Sequence, residues 1–238
     1  MTIYILNMKR SKLDMYACVK RFFDIVLAVI ALLMTGWFLV PCMLILWCTG
    51  EHYIWYLQKR IGYKNQYFNI IKFATMLLAS PSLGTGSLTT RNDPRVLPFG
   101  KFLRKTKINE LPQIFNVFNG TMSIVGPRPQ MEVDFLRFPK HVQERIYDSI
   151  PGITGIGSVI FRDEEYYMSQ PGVDPIAFYT EKIAPYKGEL ELWYLENKSL
   201  WVDFKIIFLT AWVIVFSKSQ LPFRSFKNMP AKPEWMKG

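Results

Sequence analysis

LAVIALLMTGWFLVPCMLILW, residues 27–47, carries no charged side chain, and the uncharged run extends from Ile25 to Gly50. A helix of about 20 apolar residues crosses the hydrocarbon core, so this run is long enough to span. It is too long for the core of a signal peptide, and no A-x-A-like site closes it. Lys9, Arg10, Lys12, Lys20 and Arg21 precede the run, and Lys59, Arg60 and Lys64 follow it. Both flanks therefore look cytoplasmic. A helix that enters the bilayer, bends and leaves on the same side satisfies both, and Gly36 and Pro41 stand where the bend would fall. The sequence predicts a re-entrant anchor over 20–50; a plain span and a buried core helix are the competing readings.

The rest of the chain narrows the class. Half of the 238 residues are apolar and 16% are aromatic, which excludes a disordered or low-complexity chain. Cys18, Cys42 and Cys48 lack CxxC spacing, so neither a disulfide scaffold nor structural zinc is expected, and His52 and His141 alone do not make a His-rich metal site. The net charge of +10 suits acidic partners. The cations cluster beside apolar segments, however, and no DNA or RNA motif occurs, so no nucleic-acid partner is expected. A second apolar segment, 206–216, is too short to cross a bilayer as a helix. Flanked by lysines, with Trp212 in it and Trp193 and Trp201 before it, it suits either an interfacial helix or a core-packed terminal helix. The basic stretch 218–238 reads as a loose surface extension.

Residues 53–76 mix β-branched and aromatic residues around a turn signal at 62–65, predicting a hairpin. Residues 80–95, SPSLGTGSLTTRNDPR, read as a mobile polar connection; Gly84-Thr-Gly86 is only a weak nucleotide signal. Leu111, Phe115 and Phe118 recur at helical spacing, with Asn109 as a plausible N-cap and Gly120 as the stop. A further helix is expected over about 130–148. An irregular stretch should follow Pro151-Gly152, with helices resuming beyond Asp174. No internal repeat is present.

Three clusters could carry chemistry. In GKFLRKTKINELPQ (100–113), four cations, Arg104 among them, precede a helix start bearing Glu110. That arrangement attracts phosphate and offers Mg²⁺ a carboxylate, and it equally suits a capped helix with a solvated basic face. In Gly126-Pro127-Arg128-Pro129, two prolines stiffen the backbone around one guanidinium. This suits bidentate phosphate recognition or a structural turn. Arg162-Asp163-Glu164-Glu165 could bind metal, act as base, or pair with nearby cations. No G-x-S-x-G, H-E-x-x-H or Walker A sequence is present, which argues against a serine hydrolase, a zincin and a P-loop NTPase.

These segments, in order, resemble the bacterial sugar transferases, the monotopic polyprenyl-phosphate phosphoglycosyl transferases. The resemblance rests on KRFFD (20–24), QKRIG (58–62), IKFATM (71–76), NDPR (92–95) and GKFLRKTKINELPQIFNVFNG (100–120). It continues through MSIVGPRP (122–129), PGITG (151–155) and WYLENKSLWVDFKIIFLTA (193–211). It implies transfer of a phosphosugar from a UDP-sugar to polyprenyl (undecaprenyl) phosphate, with UMP released, at the start of exopolysaccharide, O-antigen or glycan assembly. It also implies Mg²⁺, a re-entrant anchor, and a catalytic domain on the cytoplasmic face of the inner membrane. Glu110 is then catalytic and the metal ligand, while Arg104, Arg128, Arg162, Lys72 and Arg60 surround the substrate.

The departures bear on mechanism. The position of the family's nucleophilic Asp is Asn109 here, and an amide is a poor nucleophile. Glu110 could attack, an acid such as Asp163 could substitute, the lipid phosphate could attack directly, or the chain could be a silent membrane scaffold. Ile156, Ser158 and Ile160 stand where the family has Trp, Gln and Asn, and Thr121, Ile150 and Ala74 also depart from it. The expected architecture is α+β and predominantly helical. It comprises an N-terminal segment (1–19), an anchor (20–50), a catalytic domain (51–200), a membrane-interface helix (201–217) and a tail (218–238). A homo-oligomer would leave no mark in the sequence.

Overall fold

The uncharged run lies within one helix, α1 (Thr2–Cys48). The computed structural model describes residues 2–82, 93–217 and 219–236; the polar connection at 83–92 lies outside the described residues. Pro41 sits inside α1 without ending it, so the break expected within 20–50 is absent and the anchor is an unbroken helix. Its residues 15–48 are long and apolar enough to cross a membrane.

Packing along α1 shows why the helix continues through a proline that costs about 3 kcal/mol. Leu39, Cys42 and Leu46 are buried against Phe73 and Leu103, and each buried leucine contributes roughly 1.5–3 kcal/mol. Ala28 packs near Ile70, Ile114 and Val117. The helix thus lies lengthwise on the rest of the chain. Its other face exposes Phe22, Val29, Leu33, Trp37, Val40, Leu44 and Trp47, a stripe at helical spacing.

Polar clamps fix the first part of this contact. Arg21 donates to the carbonyls of Val117 and Phe118 at 2.5 and 2.9 Å, which are acceptors left over at a helix end. Asp24 accepts the Ile124 amide at 2.9 Å. Asp203 accepts from Tyr16 and Lys20, both at 2.8 Å, and from Tyr194 at 2.7 Å.

Strands β1 (Trp55–Ile61) and β2 (Tyr67–Phe73) form the expected antiparallel hairpin. After α2 (Pro98–Lys105) the chain makes a 3₁₀ segment, Ile108–Gln113, and then α3 (Ile114–Phe118). Gly120, at φ +83°, closes α3 as expected. Strand β3 (Ser123–Val125) follows, then α4 (Glu132–Phe135) and α5 (Lys140–Arg145). The single helix expected over 130–148 is therefore two, because Pro139 cannot continue the first. The stretch expected to be irregular after Pro151 forms β4 (Gly152–Thr154), parallel to β3, and α6 (Ile156–Ile160). Then come α7 (Glu164–Met168), α8 (Pro175–Phe178), a π-helical turn at Tyr179–Ile183, α9 (Ala184–Asn197), α10 (Leu200–Val215) and α11 (Leu221–Arg224). Asp174 caps α8 through the Ile176 amide. The fold is α+β and predominantly helical, with its main core around Val142, Ile146, Ile156, Leu190 and Ile206.

Two findings concern the last quarter of the chain. Helix α10 buries Ile206, Leu209 and Val213 while exposing Trp201, Phe208, Ile214 and Val215; it combines a core face with an outward apolar face. The stretch after it is not loose: Leu221, Phe223, Phe226, Met229 and Trp235 pack against the core, and Met236 is buried within it.

The β3–β4 contact depends on glycine. A Cβ on Gly152 would lie 2.1 Å from the Gly126 nitrogen and 2.4 Å from the Thr154 oxygen; both are backbone atoms that no rotamer change relieves. Gly152→Ala is expected to cost at least about 2 kcal/mol, read as a lowered Tm in detergent. An unchanged Tm would contradict so close an approach.

Candidate functional site: a cation-lined cavity

Alternation along the hairpin puts Tyr56, Gln58 and Arg60 on one face of β1, with Lys72 paired opposite Tyr56. That face forms one wall of a cavity of about 1350 Å³. Arg104 enters from the last turn of α2, and Lys107 from a left-handed turn (φ 61°) that starts the 3₁₀ segment. Arg128 comes from the Gly-Pro-Arg-Pro turn after β3, and residues 161–165 close another side. All eight residues named from the sequence, Arg60, Lys72, Arg104, Asn109, Glu110, Arg128, Arg162 and Asp163, line this one cavity.

Glu110 is the hub. Arg128 donates to both of its oxygens, Nη1 to Oε2 at 3.1 Å and Nη2 to Oε1 at 2.5 Å, and Lys72 Nζ lies 3.6 Å from Oε1. Burial alone would raise the Glu110 pKa, but Arg128, Lys72 and Lys107 hold it well below the ordinary carboxylate range. Arg60 is fixed by Gln58 Oε1, at 2.6 and 3.1 Å, and by the Pro129 carbonyl. Burial, then the nearby Arg128, lowers its pKa to about 10. Burial lowers Lys72 to about 7; Arg60, Arg128 and Arg104 push the same way against Glu110. The acids of 163–165 mostly answer cations: Glu164 pairs with Lys187 at 2.5 Å, and Glu165 faces Arg104 at 3.8 Å.

Asn109 is not the helix cap expected of it. It sits inside the 3₁₀ segment, 5% exposed, because the left-handed Lys107 takes the preceding position. Its Oδ1 is buried with no hydrogen-bond partner. Among the described residues no three His, Cys, Asp or Glu side chains cluster to hold a metal. The available donors are the Glu110 carboxylate and the orphaned Asn109 Oδ1. They fit Mg²⁺ only as a minority of its ligands, with phosphate oxygens and water completing the shell.

Sequence reasoning missed Lys187 and Glu191. They stand one turn apart on α9 among other charged residues, and nothing in the sequence sets them apart; the packing of the fold buries both. Glu191 is 2% exposed with both oxygens unpartnered. It packs against α6, where a Cβ on Gly157 would lie 2.4 Å from Oε1. Burial raises its pKa to about 7 despite Lys187.

The cavity is lined by nine Lys and Arg against six Asp and Glu, and two of those acids, Asp93 and Asp134, pair with Arg95 and Arg137 instead. The excess positive charge in a concave, partly enclosed space suits a polyanion. Its lining also includes Thr210, Val213 and Ile214 of α10. A long apolar helix joined to an anion-attracting cavity defines a membrane-associated protein with a charged-ligand site. The chain belongs to the bacterial sugar transferase family, whose model matches residues 15–217. It is 32% identical over 212 residues to an undecaprenyl-phosphate glucose phosphotransferase of Komagataeibacter xylinus, covering 84% of this chain and 36% of that protein. It is 31% identical to an undecaprenyl-phosphate galactose phosphotransferase of Salmonella typhimurium, covering 82% and 40%. With the exopolysaccharide production protein ExoY of Sinorhizobium fredii it shares 33% identity, covering 84% and 86%. The chain thus spans less than half the length of the first two and most of the third.

Two titrations test the electrostatics. The Glu191 pKa is raised from 4.5 to about 7 in the fold, so the unfolded chain ionises first as pH rises. Stability should therefore fall between about pH 4.5 and 7, by roughly 3 kcal/mol in all, and level off above. Glu191→Gln should melt higher than wild type at pH 8 and much like it at pH 4.5. Lys72 should gain a proton when an anion binds beside it, so diphosphate affinity should fall as pH rises through 7 and beyond. Lys72→Met should bind more weakly and lose that pH dependence in a calorimetric titration.

Proposed function

We propose that this chain transfers a phosphosugar from a UDP-sugar to polyprenyl phosphate, releasing UMP, at the start of extracellular glycan assembly. The observation that carries this reading is the single cavity joining the Arg128–Glu110–Lys72 cluster to the apolar end of α10. The cation cluster suits a diphosphate, and the α10 lining suits a phosphate carried on a hydrocarbon chain. The relatives' names, which pair undecaprenyl phosphate with glucose or galactose, support the acceptor class. Attachment is proposed through the exposed apolar stripes of α1 and α10, with the helix lying along one leaflet. Lengthwise contact of α1 with its own domain supports this, and the Lys and Arg on both flanks favour the cytoplasmic side of the inner membrane.

The geometry favours direct displacement. Asn109 is no nucleophile, and both Glu110 oxygens are engaged by Arg128. The lipid phosphate oxygen attacks the sugar-bearing phosphorus, the bridging P–O bond breaks, and the electron pair leaves on UMP. Arg128, Arg104 and Lys72 orient the diphosphate and offset the charge moving to the leaving phosphate. Mg²⁺ bound with the diphosphate would be held by Asn109 Oδ1 and by Glu110, one of whose oxygens would have to exchange its Arg128 contact for the ion, and it would supply further charge neutralisation.

The test is nucleotide release by full-length protein in lipid nanodiscs, with a panel of UDP-sugars and Mg²⁺. UMP should appear only when polyprenyl phosphate is present, and Glu110→Gln should lower kcat about 100-fold or more. A stoichiometric burst of UMP without lipid would replace direct displacement by a covalent intermediate. No UMP from any sugar nucleotide, beside an active relative as control, would overturn the reading.

A further inference from the structure

The stretch after α10 lies beyond the residues matched by the family model, which ends at 217, yet it is built into the fold. Ser219 Oγ turns the chain by accepting from Trp212 Nε1 at 2.9 Å and the Leu221 amide at 3.2 Å. The chain then runs back along α9. Trp193 Nε1 donates to the Lys227 carbonyl at 3.3 Å, and the Tyr186 hydroxyl donates to the Pro230 carbonyl at 3.1 Å.

It ends in an aromatic cage. Trp235 stacks on Phe161, with centroids 6.3 Å apart and planes at 25°. Tyr167 and Phe178 meet it edge-on at 5.5 and 5.4 Å. Met236 beside it is 3% exposed. Phe161 itself lines the cavity and immediately precedes Arg162, while Tyr167 shares α7 with Glu164 and Glu165. Trp235 is therefore one side chain behind the wall that carries Arg162, Glu164 and Glu165. Stiff aromatic contacts of this kind fix the position of short elements that have little helical stability of their own; α7 has five residues and α8 four.

We propose that segment 219–236 is a strap that sets the 161–168 wall of the cavity, with Trp235 as its positioning residue. Through Phe161 and Tyr167 it aims Arg162 at the bound donor and holds Glu165 across from Arg104. Trp235 touches no substrate. Its effect falls on donor binding more than on the chemical step, because Glu110, Lys72 and Arg128 stand on other elements. The proposal rests on the cavity being the phosphosugar-transfer site, so its test has one readout that needs no turnover.

The experiment compares wild type, Trp235→Ala and Trp235→Phe as full chains in nanodiscs, by amide hydrogen exchange and by UMP release against donor concentration. Trp235→Ala should speed exchange across 163–170 roughly tenfold, the order expected for loss of an aromatic cage. Exchange in α9 and β1–β2 should stay unchanged. The KM for donor should rise several-fold with kcat held within about twofold, and Trp235→Phe should restore most of both. Unchanged exchange at 163–170, or a fall in kcat at constant KM, would overturn the proposal, as would loss of protection throughout the molecule in both variants. Should Trp235→Ala alone fail to fold, Trp235→Leu takes its place under the same criteria. Wild-type protein that releases no UMP would refute the transfer reading, and the exchange data would still decide whether the strap sets the wall.

Discussion

Glu110 and Arg128 hold each other by two hydrogen bonds, both side chains partly buried in the wall of the cavity. Arg60, Lys72, Arg104 and Lys107 all line the same cavity, and like charges brought together out of water repel strongly. One ionised carboxylate at the centre makes their convergence tolerable, and a planar guanidinium fixes its orientation as an ammonium would not. The surrounding architecture supplies the two partners. A left-handed Lys107 starts the 3₁₀ segment that delivers Glu110, and two prolines around Arg128 hold its backbone extended beside a β3–β4 contact that only glycine permits.

How much of this was legible follows from what each signal measures. Arg104, Glu110, Arg128 and Arg162 were chosen as charges next to turn-forming residues, and the chain does bring them to one cavity. Arg60 and Lys72 come only from the family resemblance; the structure puts both on the hairpin wall of the cavity. Asn109 was misread because a helical spacing of Leu111, Phe115 and Phe118 does not distinguish an α-turn from a 3₁₀-turn, and the difference buries the amide rather than leaving it at a cap. Lys187 and Glu191 were invisible for the opposite reason. Two charges one turn apart on a helix usually face water, and only the packing of α6 against α9 puts them inside.

The anchor shows a different limit. A uniformly apolar helix reads the same whether its surroundings are lipid on all sides or lipid on one and protein on the other. In α1 the residues at 28, 39, 42 and 46 meet the domain, while those at 22, 29, 33, 37, 40, 44 and 47 face outward, so both faces had to be apolar. The flanking cations suggest a bend that returns the chain to one side, but α1 runs through Gly36 and Pro41 as one continuous helix. The stretch after α10 was misread for want of period: Leu221, Phe223, Phe226, Met229 and Trp235 follow neither helical nor strand spacing, because they fill irregular gaps along α9.

A partly buried site built from cations pays for its desolvation in the folded protein, before any ligand arrives. Lys72 registers that cost, its pKa brought down to about 7 by burial among arginines, while Glu110 offsets part of it. An incoming diphosphate supplies the missing negative charge and restores the lysine's proton, so binding relieves electrostatic strain instead of creating it. The gain is largest where charge is most concentrated, which for a displacement at phosphorus is the transition state and the departing phosphate. Val213 and Ile214 line the same cavity, which gives the proposed lipid acceptor an apolar surface within the site that holds the cations. Placing the cation cluster in the same cavity as residues of the outward-facing α10, rather than at an isolated loop, is what the proposed reaction requires of a site that takes a soluble donor and a membrane-bound acceptor.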